Sequence, residues 1–170
     1  VLADHGDGMG SHRMVTKQVS FYEEMTNVPF IIAGPGIHPR QKPVEDLLTQ
    51  PTIDLLPTLC ELAGIPVPSS KPGISLAPFL KGEKQKRQHP YAASEWHSEY
   101  EVTVSPGRMI RSPRYKYTHY LEGNGEELYD MLKDKGERRN LAHDPKYSKI
   151  LAEHRALLDD YIRRTQDDYR

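Results

Sequence analysis

Hydrophobic positions change period along this chain, and each change marks an element. The first clear run, Val28-Pro29-Phe30-Ile31-Ile32, is almost continuously apolar and is closed by Gly34-Pro35-Gly36, which predicts a short buried strand leaving through a turn. Pro29 has no N–H to give to a ladder, so it belongs at the start of that strand or on a sheet edge. Residues 44–50 are a candidate partner. Further on, Leu56, Leu59, Cys60 and Ala63 fall on one helical face. Asp54 is placed as the cap of this helix, Pro57 inside its first turn and Gly64 at its end. Cys60, on the face with Leu56 and Ala63, reads as a small buried hydrophobe.

From residue 65 to 72 prolines and serines break the periodicity, and a short apolar turn follows at 76–80. The run Lys81-Gly82-Glu83-Lys84-Gln85-Lys86-Arg87-Gln88 mixes signs and polar residues, which marks an exposed connector, not a basic binding patch. Beyond it the period becomes two. Residues 91–96, 108–111, 115–121 and 127–131 predict four successive strands, with Ser112-Pro113 and Gly123-Asn124-Gly125 as turns. On the third strand Tyr115, Tyr117, His119 and Leu121 share one face, the face expected to meet a final helix.

That helix is predicted to open at Asp144-Pro145, with the Asp as cap and the Pro supplying the first helical φ. Its apolar stripe is Tyr147, Ile150, Leu151, His154, Leu157, Leu158, Tyr161 and Ile162. His154 lies within the stripe and reads as a packing residue, not a ligand. The pattern therefore divides the chain into residues 1–82, part of an α/β layer, and 83–170, a small antiparallel sheet with a carboxyl-terminal helix, so that this stretch taken alone is α+β. No internal repeat or low-complexity block is present.

Length and charge narrow the possibilities. A chain of 170 residues can bury one core of ordinary domain size. Its 23 basic and 24 acidic residues give no electrostatic case for nucleic acid or an anionic membrane surface. No apolar run approaches the roughly 20 residues of a membrane span. One cysteine excludes an internal disulfide framework. The chain starts without Met, at Val1-Leu2-Ala3, too short a run for a central strand. It is expected to be the carboxyl part of a larger enzyme, with any leader upstream.

The chemistry concentrates at the beginning. Val1-Leu2-Ala3 ends abruptly in Asp4-His5, and a glycine-punctuated loop then carries His12 and Lys17. In open α/β sheets functional groups sit just beyond the carboxyl ends of strands, the place Asp4 and His5 would take. An Asp carboxylate is a hard oxygen ligand for Ca²⁺ or Mg²⁺, and a neutral His can join a site built mostly of carboxylates. A Ca²⁺ ion takes roughly six to eight donors, so other ligands must complete the site. Gly6, Gly8 and Gly10 let the loop fold back and bring His12 and Lys17 toward the metal, where Lys17 would meet an anion. Trp96, His97 and Tyr100 offer aromatic faces with polar edges that suit a sugar ring, and ordinary core packing accounts for them as well.

The longer string is more specific than Asp-His-Gly. Asp4-His5-Gly6-Asp7, Gly10, His12, Lys17, Phe21-Tyr22-Glu23-Glu24, 28–32 and Gly34-Pro35-Gly36 resemble the second half of the sulfatase family, within the alkaline-phosphatase superfamily. The resemblance continues through Asp54-Leu55-Leu56-Pro57-Thr58, Gly73-Ile74-Ser75-Leu76 and Leu80-Lys81-Gly82. It closes with Arg111-Ser112-Pro113-Arg114-Tyr115-Lys116-Tyr117, Glu127-Leu128-Tyr129-Asp130 and Gly136-Glu137-Arg138-Arg139-Asn140-Leu141, and so covers nearly the whole chain.

The resemblance implies the carboxyl-terminal portion of an alkaline-phosphatase-like sheet followed by the small antiparallel subdomain. It assigns metal ligation, usually of Ca²⁺, to Asp4 and His5, sulfate contact to Lys17, and a catalytic place to the loop histidine, His12. It also implies a sulfated small molecule or carbohydrate as substrate, and a periplasmic, secreted or lysosome-like compartment.

One departure stands against these matches. The family's nucleophile is a formylglycine made from the Cys or Ser of a Cys/Ser-x-Pro-x-Arg motif, and no stretch of this sequence matches it. Cys60 is followed by Glu61-Leu62-Ala63. The nucleophile and the remaining metal acids are therefore expected upstream, in an amino-terminal part with which this chain would pair. Two other readings stay open: a phosphoryl-transfer or phosphodiesterase member of the same superfamily, and a non-catalytic carbohydrate-binding module.

Overall fold

The structure is a computed structural model that describes all residues except 16, 18, 41, 45–46, 70–71, 86–87, 98–104 and 170, and the side chain of residue 124. In chain order its helices are α1 (Glu23–Thr26), α2 (Pro51–Ala63), α3 (Ala77–Leu80) and α4 (Ser148–Thr165), and its strands β1 (Ala92–Trp96), β2 (Gly107–Arg111), β3 (Tyr115–Tyr120) and β4 (Glu126–Asp130). The residues fall into two compact units. One comprises Val1–His5 with Val28–Ala92, the other Gly6–Asn27 with Ala93–Arg170.

In the first unit the expected strand at 28–32 is reduced to a single antiparallel bridge, Leu2 to Phe30. Ile31 N–H donates to the Val1 carbonyl at 2.8 Å, and the Val1 amino group to the Ile31 carbonyl at 2.6 Å. Pro29 withholds a donor from the ladder. Among the described residues of 44–50 none forms a strand.

Helix α2 begins at Pro51, three residues before the expected cap. Proline at the first helical position has its φ already set, and Asp54, in the first turn, reaches back to accept the Gln50 N–H at 2.8 Å. Gly64 ends the helix with φ 69°, as expected. The buried face differs from the sequence reading. It is Asp54, Pro57 and Thr58, while Leu56 and Leu59 are exposed and Cys60 is half-buried.

Polar residues win that face because backbone partners wait there. Asp54 accepts the Ile74 N–H at 2.8 Å and meets His89 Nε2 at 2.8 Å, and the Thr58 hydroxyl oxygen accepts the Leu76 N–H at 3.0 Å. Pro57 has no N–H for the Ile53 carbonyl, and the chain comes close to that carbonyl at Gly73. With φ 115° there, and an added Cβ falling 2.1 Å from the Ile53 oxygen, only glycine fits.

The second unit is built on a sheet in the order β1-β2-β3-β4, with β2/β3 and β3/β4 antiparallel. Ile110, Tyr117 and Leu128 face one another across three strands and are almost wholly buried. The helix side of the sheet follows the alternation at Tyr115, whereas Leu121, expected on the same face, lies beyond β3 and is exposed because the strand ends at Tyr120. Tyr115 meets His154 edge-on at 5.8 Å, and α4 buries Leu151, His154, Leu158 and Ile162.

His154 is a packing residue. Its Nδ1 lies 2.8 Å from the Ile150 carbonyl and its Nε2 2.9 Å from Ser112 Oγ, and burial pushes its pKa down toward the neutral ring. Asp144 does cap, accepting the Lys146 N–H at 3.1 Å, but it caps a 3-10 turn, Pro145–Tyr147, that feeds into α4. After α4, Asp167 holds Arg108 through two hydrogen bonds of 2.5 and 2.7 Å, and the guanidinium lies 4.3 Å over the Tyr169 ring. No described helix is long and apolar enough to cross a membrane.

Candidate functional site

In the first unit Asp4 and His5 form a local pair. The His5 N–H donates to Asp4 Oδ1 at 3.0 Å, and the ring Nε2 stands 3.7 Å from Oδ2. The Asp4 side chain is 89% exposed and that of His5 44%, so both present donor atoms to solvent. A carboxylate and an imidazole fit a hard-cation site that further oxygens complete. Among the described residues no group of three or more His, Cys, Asp or Glu side chains is gathered to hold a metal.

The loop that follows belongs to the second unit. Gly6, next to His5 in the chain, donates its N–H to the Met25 carbonyl at 2.9 Å, and an added Cβ would lie 1.7 Å from the Glu24 carbonyl oxygen. Glycine is required by that close approach to α1. The loop then closes on itself. Asp7 accepts the Met9 N–H at 3.0 Å, Gly8 O the Ser11 N–H at 2.8 Å, and Met14 O the Gly10 N–H at 2.7 Å.

At its tip Met9, His12 and Arg13 all have positive φ, 44°, 50° and 64°. Non-glycine residues hold that conformation only where the surroundings over-determine it. For His12 the surroundings are visible. Its ring lies on Tyr22 at 3.7 Å with an interplanar angle of 1°, and its Nε2 stands 4.0 Å from Glu24 Oε2. Lys17, farther along the same loop, is exposed. Of the four residues singled out from the sequence, Asp4 thus sits with His5, and His12 with Tyr22 and Glu24, each pair within its own unit.

Behind Tyr22 lies a buried charge network that the sequence reading missed. Lys116, on the sheet face opposite α4, has a side chain only 1% exposed. Its Nζ is 2.8 Å from the Phe21 carbonyl, 2.7 Å from Glu23 Oε1 and 2.9 Å from Glu137 Oε1. The other Glu137 oxygen accepts the Glu23 N–H at 2.7 Å, capping α1 from a loop distant in sequence. Arg111 Nε adds a longer contact to Glu23 at 3.8 Å.

Burial dominates the acid–base balance of this cluster. It raises the Glu137 carboxyl, against the pull of Lys116, and it raises Glu127, with Glu137 adding repulsion. Burial also pushes up the Tyr22 and Tyr129 hydroxyls. Lys116 and Thr118 alternate with Tyr115, Tyr117 and His119, and their burial means that both faces of the sheet are covered, which the alternation alone does not announce.

Of the aromatic candidates, Trp96 is half-buried at the end of β1, His97 is exposed, and Tyr100 lies outside the described residues.

Comparison with known proteins places this arrangement. The chain is 78% identical over all its 170 residues to Delta 4,5-hexuronate-2-O-sulfatase of Bacteroides thetaiotaomicron, covering 35% of that protein. It superposes on the structure of a 2-O GAG sulfatase with a TM-score of 0.95 at 78% identity, covering 99% of this chain and 36% of the other. A second structure, in complex with its substrate D-glucosamine-2-N,6-O-disulfate, matches with a TM-score of 0.84 at 25% identity, over 98% of this chain and 34% of the other. Fold and sequence therefore put the chain among the sulfatases, on the alkaline-phosphatase-like fold. It belongs to the family described as N-sulphoglucosamine sulphohydrolase, C-terminal, whose model matches residues 10–164. The chain spans about a third of the length of the curated relative it matches at 78% identity.

Proposed function

We propose that this chain is the carboxyl-terminal part of a sulfatase that removes the 2-O sulfate of a Δ4,5-unsaturated hexuronate. The observation that carries the reading is the 78% identity to Delta 4,5-hexuronate-2-O-sulfatase, which runs over all 170 residues. In this reading Asp4 and His5 are two ligands of a Ca²⁺ ion, and upstream acids complete its shell. The metal supplies Lewis acidity to a sulfuryl oxygen and the formylglycine, also upstream, supplies the attacking oxygen.

This chain's own residues then do electrostatic and orienting work. Lys17 carries a positive charge on an exposed loop, suited to a sulfuryl oxygen as negative charge grows on it in the transition state. His12 offers an imidazole nitrogen to an ester oxygen. Trp96 and His97 are candidates for the sugar.

The test is sulfate release by the intact enzyme from a disaccharide carrying a 2-O-sulfated unsaturated hexuronate, with Ca²⁺ present. Turnover is expected, and Asp4→Ala should lower both turnover and retained Ca²⁺. Turnover of an aryl phosphate with no sulfate release would replace this reading by phosphoryl transfer. Unchanged Ca²⁺ content and activity in Asp4→Ala would remove Asp4 from the metal site.

A further inference from the structure

We propose that Tyr22 is a positioning residue that sets the plane of the His12 imidazole, a role that rests on the reading of His12 as a group that touches substrate. The two rings are parallel to within 1° at 3.7 Å, and His12 is held with φ 50° at the tip of a closed loop. A side chain at such a tip turns freely unless one of its faces is occupied. Tyr22 occupies that face, and the Glu24 carboxylate stands 4.0 Å from Nε2, beyond hydrogen-bond reach but on the side of one ring edge. Imidazole and phenol together leave the remaining ring edge as the part available to a ligand.

Tyr22 can serve because the backbone on both sides of it is anchored. The residues on either side of it, Phe21 and Glu23, are both bound by Lys116, and Glu137 accepts the Glu23 N–H. Its own ring lies near that of Tyr129, with centroids 6.4 Å apart and planes tilted by 57°. The carboxyl-terminal sheet thus acts on the loop through one aromatic ring. The network stops at Tyr22, the last anchored residue before His12.

A double-mutant cycle in the intact enzyme separates positioning from plain stability. Tyr22→Leu should lower kcat by about 10- to 100-fold, the scale of a small misplacement of a reacting group, with KM little changed. Tyr22→Phe keeps the ring and should keep most of kcat. In a His12→Ala background Tyr22→Leu should cost nothing further, because the group it orients is gone.

A second readout needs no turnover. The His12 ring protons should resonate upfield from the Tyr22 ring current in the wild type and in Tyr22→Phe, and move downfield in Tyr22→Leu. Equal losses from Tyr22→Leu with and without His12, or wild-type ring protons at ordinary shifts, would overturn the proposal. Full activity in His12→Ala alone would instead overturn the reading of His12 as a substrate contact while leaving the ring-current result to judge the stack.

Discussion

Lys116 Nζ donates to the Phe21 carbonyl oxygen at 2.8 Å, although the two stand 95 positions apart in the chain. The ammonium is enclosed with Glu23 and Glu137, so removing it strands a carboxylate that is itself only 1% exposed. Lys116→Met should destabilise the protein by about 3–5 kcal/mol, the cost of breaking a buried pair from one side. Adding Glu137→Gln should restore part of that loss, since the fully buried charge is then gone and only Glu23, 24% exposed and 3.8 Å from Arg111, is left beside Met. Urea unfolding of the two variants checks this. A single variant within about 0.5 kcal/mol of wild type would show that Lys116 reaches water.

Glu127 tests the same cluster from the acid side. Burial raises its folded-state pKa above the unfolded value, with Glu137 adding to the rise. The folded protein therefore binds this proton more tightly than the unfolded chain, and ionisation costs stability at neutral pH. Glu127→Gln, which keeps the shape and removes the charge, should raise the unfolding midpoint at pH 7. The gain should shrink as pH falls through the folded pKa, and vanish below the unfolded value of about 4.3. A gain that grew on acidification would have the wrong sign for a buried, destabilised carboxylate.

In the first unit the equivalent anchor is Asp54, wholly buried at the start of α2. Its carboxylate accepts the N–H groups of Gln50 and Ile74 and meets His89. Asp54→Asn keeps the volume but turns one acceptor into a donor that faces another donor. The expected cost is about 1–3 kcal/mol for each N–H left unpaired. Hydrogen exchange at Ile74 is the specific reporter, and unchanged protection there would show that the loop is held by something else.

Which parts of this architecture were legible in sequence follows from what each element depends on. The four strands and α4 stood out because alternation and helical spacing are local, and Tyr115 meets His154 as the pattern implied. The face of α2 was not legible, since Leu56 and Leu59 look like core residues until Ile74 and Leu76 are seen to claim Asp54 and Thr58.

The Lys116 network was invisible for a related reason. Its members come from α1, β3 and the loop at Glu137, and no spacing along the chain announces a partner so far away. A lysine between two tyrosines reads as the wet side of a strand. Only the burial of Thr118 beside it, on the same face, shows the second layer.

This chain alone, given Ca²⁺ and an aryl sulfate, should release no sulfate above a Lys17→Ala control. Its sequence offers Asp4, His5, His12 and Lys17 but no Cys/Ser-x-Pro-x-Arg motif from which a formylglycine could be made. Charged groups without an activated nucleophile can hold an anion, yet they cannot open the sulfur–oxygen bond by displacement. Lys17-dependent turnover by the chain alone would force a search for a nucleophile among its own residues.

Lys17 itself separates binding from catalysis. In the intact enzyme Lys17→Met keeps most of the stem and deletes the charge, so steric effects are small. If the ammonium meets a sulfuryl oxygen whose charge grows along the reaction, its contribution is larger in the transition state than in the bound ester. Both kcat and kcat/KM should then fall, by about 100- to 1,000-fold on the scale of losing one oxyanion donor, while KM stays near its wild-type value. A rise in KM with kcat unchanged would make Lys17 a uniform contact to the ground-state sulfate. Unchanged kinetics would mean that the loop places Lys17 away from the ester altogether. The same measurement with a phosphate monoester adds a control of charge. A dianionic phosphoryl group should feel the loss more in binding than a monoanionic sulfate does, because its ground state already carries the charge that the sulfate gains only on the way to the transition state.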